Sequence, residues 1–249
     1  MSSTTTPRRR LGIYGILLIL LALVAAPLAS VLVNAAVGYH DEPSALGNIV
    51  QPGMLHILGN TILLSVLVVA FATLMAAPLA FLRAWTRFSS ANWIEIAVMI
   101  PFMTPPFAAA MAWMDFTRRG GVAEMLLGHG AGKLAHDVIY SVWGMAFIMA
   151  VELFPFLYLI LRTCLNCIPA STLEMAQVAG ASRWQQAVRI IAPNVIGPYS
   201  LGALIIFIKA AGEFGTPVTL GNAIGYKVLV SSIYAVSYTH LRAHETRHD

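Results

Sequence analysis

Apolar residues run along this chain in long unbroken stretches separated by short polar segments, and that alternation predicts its elements. Leu11 to Val33 is an apolar run of 23 residues, and about 20 such residues in a helix cross the hydrocarbon of a bilayer. The polar residues 1–10 before it end in Arg8, Arg9 and Arg10, and APLAS at Ala26 to Ser30 also fits a secretory leader. The run is longer than a usual leader core, which favours an uncleaved helix. Asn34 to Ile57, with His40, Asp41, Glu42, Pro43, Pro52 and His56, reads as an external loop. Further spans are predicted from Leu58 to Leu82, Trp93 to Trp113, Ile139 to Leu161 and Val195 to Ala211. Pro101, Pro105 and Pro106 interrupt the third of these five spans. Prolines free carbonyls and bend a membrane helix where protein or a cavity meets those groups, so the bend either lines a pathway or is purely structural. Between the third and fourth spans, Phe116 to Val138 is glycine-rich and carries Arg118, Arg119, Glu124, Lys133 and Asp137.

The longest polar interlude late in the chain reads STLEMAQVAGASRWQQAVRIIAP, from Ser171 to Pro193. Ser171 with Glu174, and Ser182 with Gln185, each have the spacing of a capping box, in which hydroxyl and acid or amide satisfy orphan helix N–H groups. Two short helices broken at Gly180 follow from that pattern. The first places Leu173, Ala176 and Gln177 on one side, and the second Trp184, Val188 and Ile191. Neither stripe is long enough to span. Pro193 and Pro198 bracket the entry to the next span, where proline is tolerated in a first turn.

Composition changes the picture in one respect. Hydrophobic residues make up 58% of the chain and charged ones 10%, which places it among all-α, polytopic membrane proteins and excludes a water-soluble fold. The net charge of +4 is dispersed rather than gathered in a groove-sized patch, so nucleic acid is not an expected partner. With the amino terminus cytoplasmic, the inner side collects Arg8, Arg9, Arg10, Arg83, Arg87, Arg162, Arg183 and Arg189, and the outer side Arg118, Arg119, Lys133 and Lys227. That asymmetry follows the positive-inside pattern. Cys164 and Cys167 form a lone CxxC without a second pair or histidine ligands, so no metal site is expected there. Gly128, Gly132 and Lys133 fall short of a phosphate-binding loop: three residues separate the glycines, and Leu134 replaces the hydroxyl that would meet magnesium. No ATPase and no cofactor are expected within the chain. Charges inside or beside spans are functional candidates, because burying one in a bilayer costs roughly 2.5 to 3.5 kcal/mol. Glu152 either faces a translocation cavity or pairs with Lys209 as a static clip, Lys209 alternatively snorkels to the interface, and Glu213 follows close behind.

Glu174, Ala176, Gly180, Ile190 and Pro193 fall at the spacing of the EAA loop. The segment thereby resembles the signature of inner-membrane permease subunits of binding-protein-dependent ABC importers, departing from it at Met175 and Ala192. An ordinary amphipathic loop is the alternative reading of the same residues. The resemblance implies a type I importer permease fold. Residues 11–33 would form a peripheral helix and residues 58–235 a core containing the coupling loop, 171–193, with about five of six transmembrane helices present. It also implies a non-catalytic subunit of the bacterial inner membrane, working with a cytoplasmic ABC ATPase dimer, a second permease subunit or half, an external substrate-binding protein and the surrounding membrane lipid. Arg183 and Trp184 would neighbour the ATPase. EFGTP at Glu213 to Pro217, ELFPF at Glu152 to Phe156 and the pair Pro105-Pro106 look like the ferric iron group, in which this chain would be an amino-terminal half. Relatives handling aminoethylphosphonate, polyamine, thiamine or sulfate share these runs loosely. An ATP-independent secondary transporter would show inverted repeats, and none is visible. An intramembrane enzyme would need a motif such as HExxH or GxSxG, and neither is present.

From Val236 the character changes: VSYTHLRAHETRHD carries four formal charges and three histidines. Val236 to Thr246 resembles what a widely used transposon-type sequencing adapter encodes in one frame, so residues 236–249 are expected to be artefact and the last helix of the core to be missing. The rival is a metal-binding tail, since His240, His244 and His248 share one helical face.

Overall fold

A computed structural model describes residues 52–85 and 92–234, with four isolated helical positions at Ala25, Ala26, Ala29 and Val33. Apart from those four, the expected first span, most of the loop after it and the tail from Val236 lie outside the described residues. The chain divides into two compact units between His56 and Ile57, and the second holds nearly all of the described helices. All regular structure among its described residues is helical.

Helix α1 runs from Pro52 to Trp85. It starts six residues earlier than hydropathy indicates, because Pro52 at the first helical position has its φ preset and forfeits no hydrogen bond. Leu64, Val68, Ala72, Ala76 and Ala80 recur every fourth residue and are at most 1% exposed. The three alanines let the backbones of neighbouring helices approach, as small residues do in membrane bundles. Ile62, Leu63, Val66 and Leu74 face outward.

The third expected span is not one straight crossing. It divides into α2 (Asn92–Met103) and α3 (Pro106–Thr117), whose axes bend by 96° at the break. Consecutive prolines at 105 and 106 remove two N–H donors, and Pro105 is extended, so the helix cannot continue through them. Two short helices follow, α4 (Val122–Leu127) and α5 (His129–Ile139), joined at Gly128. They pack tightly, since a Cβ on Gly132 would lie 2.5 Å from Glu124 Cα.

Helix α6 (Val142–Asn166) is the centre of the core. The Ser141 hydroxyl accepts from the Gly144 N–H at 3.2 Å, which fixes its start. Met145, Ile148, Met149, Leu157 and Leu161 are buried along it. After the polar interlude, α9 (Ala192–Ala211) returns along α6. A π-helical turn at Pro217–Gly221, a three-residue helix α10 (Asn222–Ile224) and residues 229–234 complete the described chain. This last segment is tied to the amino end of α1: Asn60 Nδ2 donates to the Lys227 carbonyl at 3.0 Å, and the Leu229 N–H donates to Thr61 Oγ1 at 2.9 Å.

Three helices among the described residues are long and apolar enough to span, at 53–84, 142–166 and 183–211, and α2 with α3 makes a bent fourth. Eight of the nine described lysines and arginines segregate along them, the ninth being Lys209 in the last turn of α9. Arg83, Arg162, Arg183 and Arg189 belong to the carboxyl ends of α1 and α6 and the polar interlude. Arg118, Arg119, Lys133 and Lys227 belong to the opposite end, around the α4–α5 hairpin and the amino end of α1. Among these residues the count is equal; the excess expected on the first side comes from Arg8, Arg9, Arg10 and Arg87.

Candidate functional site

The polar interlude forms a helical hairpin at one end of the bundle. Its first helix is α7 (Ala170–Val178) and its second, α8 (Arg183–Gln186), leads through a π turn at Ala187–Ile191 directly into α9. The expected capping box at Ser182 is present: its hydroxyl accepts the Gln185 N–H at 3.3 Å, and Gln185 Oε1 accepts the Ser182 N–H at 2.8 Å. The one expected at Ser171 is not. Pro169 occupies that N-cap with no side-chain bond, because the proline starts α7 early and draws Ser171 inside the helix.

Gly180 breaks the hairpin for a conformational reason. Its φ is +84°, a region that L-residues with a Cβ enter only at a cost. The Gly180 N–H donates to the Gln177 carbonyl at 2.9 Å and the Ala181 N–H to the Ala176 carbonyl at 2.9 Å. That pair of bonds is the Schellman motif, which satisfies the last carbonyls of α7. Past the turn, the chain runs through Pro193 without a break. The Ala192 N–H reaches back to the Ala187 carbonyl, five residues earlier, and Asn194 Nδ2 donates to the Ile190 carbonyl at 2.6 Å. The π turn thus absorbs the proline, and one helix continues from Arg183 to Ala211.

The two expected stripes divide differently in space. Leu173 and Gln177 of α7 and Ile191 of the π turn line a groove of about 360 Å³ between the helices, with Arg183 and Gln186 at its edge. Trp184 and Val188 do not join Ile191: Ile191 is buried, whereas Trp184 is 76% exposed. Val178, at 91%, and Met175 also point outward, and no residue of α7 is buried. Glu174 is exposed, Ala176 and Ile190 half-buried, and Pro193 exposed. The hairpin therefore presents apolar side chains to its surroundings from a scaffold held by its own caps. Sequence reading placed the turn but missed Met175 and Val178, whose spacing alone does not say which face is covered.

Away from the hairpin, Pro105, Pro106, Glu152, Lys209 and Glu213 line one cavity of about 430 Å³, formed by the α2–α3 break, the middle of α6 and the end of α9. Glu152 and Lys209 make no ion pair within 4.0 Å, so the static clip is not formed. Lys209 Nζ instead stands 5.8 Å from the centre of the Phe102 ring, within reach of its π face. Glu213 is engaged locally: its carboxylate accepts the N–H groups of Gly215 at 2.5 Å and Thr216 at 3.1 Å. Gly215 is required by close approach, since a Cβ there would lie 2.7 Å from the Phe107 nitrogen. Among the described residues no group of three or more metal-ligating side chains forms. Cys164 and Cys167 are free.

One cluster has no counterpart in the sequence reading. Glu95, in the first turn of α2, accepts from Arg83 Nη2 at 2.9 Å and also meets Arg162 Nη1. Arg83 is almost fully buried and Glu95 about one-third exposed (34%). The three residues join the ends of α1, α2 and α6 beside the hairpin. An acid opening an apolar run was the available signal, but its partners lie 12 and 67 positions away.

A model of the family described as binding-protein-dependent transport system inner membrane component matches residues 69–237. The chain is 26% identical over 186 residues to the putative ferric transport system permease protein FbpB 1 of Haemophilus influenzae, covering 74% of this chain and 29% of that protein. It is 27% identical over 172 residues to the probable sulfate transport system permease protein cysT of Zygnema circumcarinatum, covering 67% and 58%. To the molybdenum transport system permease protein ModB of Escherichia coli it is 25% identical over 187 residues, covering 72% and 80%. The chain spans between about a third and just over half the length of the first two. With its helical spans and capped hairpin lying within or beside the matched region, this chain belongs to the family of inner membrane components of binding-protein-dependent transport systems.

Proposed function

We propose that the chain is a non-catalytic permease subunit of an ATP-driven importer, and that the hairpin of α7 and α8 docks on a separate cytoplasmic ATPase. The observation that carries this reading is the exposure of Val178 and Trp184 on a turn whose caps are complete. Large apolar side chains held out by a rigid scaffold favour a partner that covers them. On this reading Glu174, Ala176, Gly180, Ile190 and Pro193 set the hairpin's shape, and Arg183 and Trp184 meet the motor. The side bearing the hairpin is cytoplasmic, in keeping with the excess of arginine assigned to it.

Because α8 continues into α9, a push on Trp184 is carried along one 29-residue helix, about 44 Å at the usual rise, whose last turn holds Lys209 at the cavity. Movement of the hairpin with the closing ATPase dimer thereby reshapes the space between Glu152, Lys209 and the Pro105-Pro106 break. A second permease subunit or half completes the pathway, and an external binding protein delivers the cargo. For the cargo we propose ferric iron, supported by the ferric-system relatives and by the acidic Glu152 in the cavity. Lys209 in the same cavity favours an oxyanion as the second reading, in line with the sulfate and molybdenum relatives.

The test is crosslinking in native membranes from Val178→Cys, with Cys164 and Cys167 changed to serine. Capture of a nucleotide-hydrolysing subunit is expected, together with loss of ATP-driven uptake in Trp184→Ser. Failure to capture any ATPase, with the hairpin labelled from the outer face, would overturn the assignment.

A further inference from the structure

The α4–α5 hairpin lies at the end of α6 remote from α7, and it is amphipathic in an unusual way. Met125 is 81% exposed and Leu126 72%, and Leu127, Leu134 and Val138 are exposed beside them. In the same hairpin a cleft of about 370 Å³ is lined by Arg119, Glu124, His129, Gly132, Lys133 and His136. Its single carboxylate is already committed, since Glu124 accepts the Gly120 N–H at 2.7 Å and meets His129 Nδ1. His136 is held too, with Nδ1 3.0 Å from the Thr117 carbonyl and its ring 4.2 Å from that of Tyr140. Among the described residues no acid lies within ion-pairing distance of Arg119 or Lys133, while neighbouring Arg118 pairs with Asp115 at 3.1 Å.

The surroundings limit what such a cleft meets. The hairpin connects α3 to α6, and α6 with 25 residues spans about 37 Å, enough to carry its amino end to the far interface of the bilayer. An element at that depth, with exposed leucine and methionine beside cations outside any ion pair, matches the composition of an interfacial anchor. Exposed cations close to a membrane surface attract anionic lipid. We propose that the α4–α5 hairpin is a lipid-binding site. Met125, Leu126 and Leu127 enter the acyl boundary, and Arg119 and Lys133 clasp the phosphate of an anionic phospholipid headgroup. The site is independent of the docking hairpin and of any cargo, and it fixes the external end of the bent α2–α3 segment relative to the membrane.

The test uses the full chain purified in mild detergent and mixed with phosphatidylglycerol or phosphatidylcholine, the bound lipid being counted by native mass spectrometry. Each cation near an anionic surface contributes about fivefold in affinity. Phosphatidylglycerol is therefore expected to be retained well above phosphatidylcholine, and the preference to fall by about tenfold or more in the double variant Arg119→Gln, Lys133→Gln. Both side chains are exposed, so the variant keeps its helix content. A nitroxide on Leu126→Cys, with Cys164 and Cys167 as serine, is expected to report the acyl boundary in vesicles of phosphatidylglycerol. Equal retention of the two lipids, an unchanged preference in the double variant, displacement of the lipid by an equal concentration of inorganic phosphate, or burial of the label against a second copy of the chain would each overturn the proposal.

Discussion

Replacing Gly180 by valine alters one backbone angle and little else, which makes it a clean probe of the docking hairpin. Apart from the adjoining residues, no atom lies within 4 Å of where a Cβ would sit, so the substitution meets no steric obstacle from the rest of the chain. The cost is conformational. At φ +84° an L-residue loses about 1–2 kcal/mol, and a β-branched one stands at the upper end of that range. At about 1.4 kcal/mol per factor of ten, the Schellman turn is then depopulated roughly five- to thirtyfold relative to straighter arrangements. Because α7 buries no side chain, this penalty stays in the hairpin and leaves the core of α1, α6 and α9 intact. ATP-driven uptake in vesicles containing the partner subunits is expected to drop by a similar factor, with membrane insertion and thermal midpoint unchanged. Asparagine tolerates the left-handed region, so Gly180→Asn is expected to keep uptake within about twofold of the parent. Normal transport by Gly180→Val would refute the reasoning, and so would equal losses in the valine and asparagine variants, since side-chain bulk rather than backbone angle would then be at fault.

Three further outcomes are expected. Glu95→Gln leaves Arg83 buried against a neutral amide and is expected to cost about 1–3 kcal/mol, below the range for a fully buried pair because Glu95 is partly exposed; thermal unfolding in detergent measures it, and an unchanged midpoint would show that the cluster does not clamp α1 to α2. Gly215→Ala places a methyl group against the Phe107 backbone, and overpacking of that kind typically costs about 1–3 kcal/mol, read as a lower thermal midpoint. The Gly120 N–H beside Glu124, followed by His129, holds that carboxyl below its usual value of 4.5. A depressed folded-state value stabilises the hairpin fully above the unfolded value, and that stabilisation is lost as pH falls through the folded one. Protection of the Gly120 N–H against hydrogen exchange, taken relative to the intrinsic rate at each pH, is therefore expected to fall only in acid below about pH 4.5, and protection unchanged by acid would count against the bond.

Much of the candidate site was legible in one dimension. The Ser182 box, the turn at Gly180 and the grouping of Pro105, Pro106, Glu152, Lys209 and Glu213 as pathway candidates all follow from local spacing or from charge in an apolar context. Ser171 misled because a cap depends on where the helix starts, and Pro169 starts it two residues early. Trp184 and Val188 misled for a related reason: the π turn shifts the register, so a stripe drawn at ordinary helical spacing no longer faces one way.

The sequence by itself determined the membrane class, the presence of apolar spans at 58–82 and 139–161, and the break at Gly180, because each rests on interactions between residues a few positions apart or on bulk transfer into lipid. Tertiary structure alone decided that Glu95 serves Arg83 and Arg162, that Glu152 and Lys209 share a cavity without pairing, and that α8 and α9 are one helix. Those outcomes depend on which distant side chains the packed helices bring within a few ångströms, and on whether a π turn can absorb a proline, and hydropathy carries no record of either.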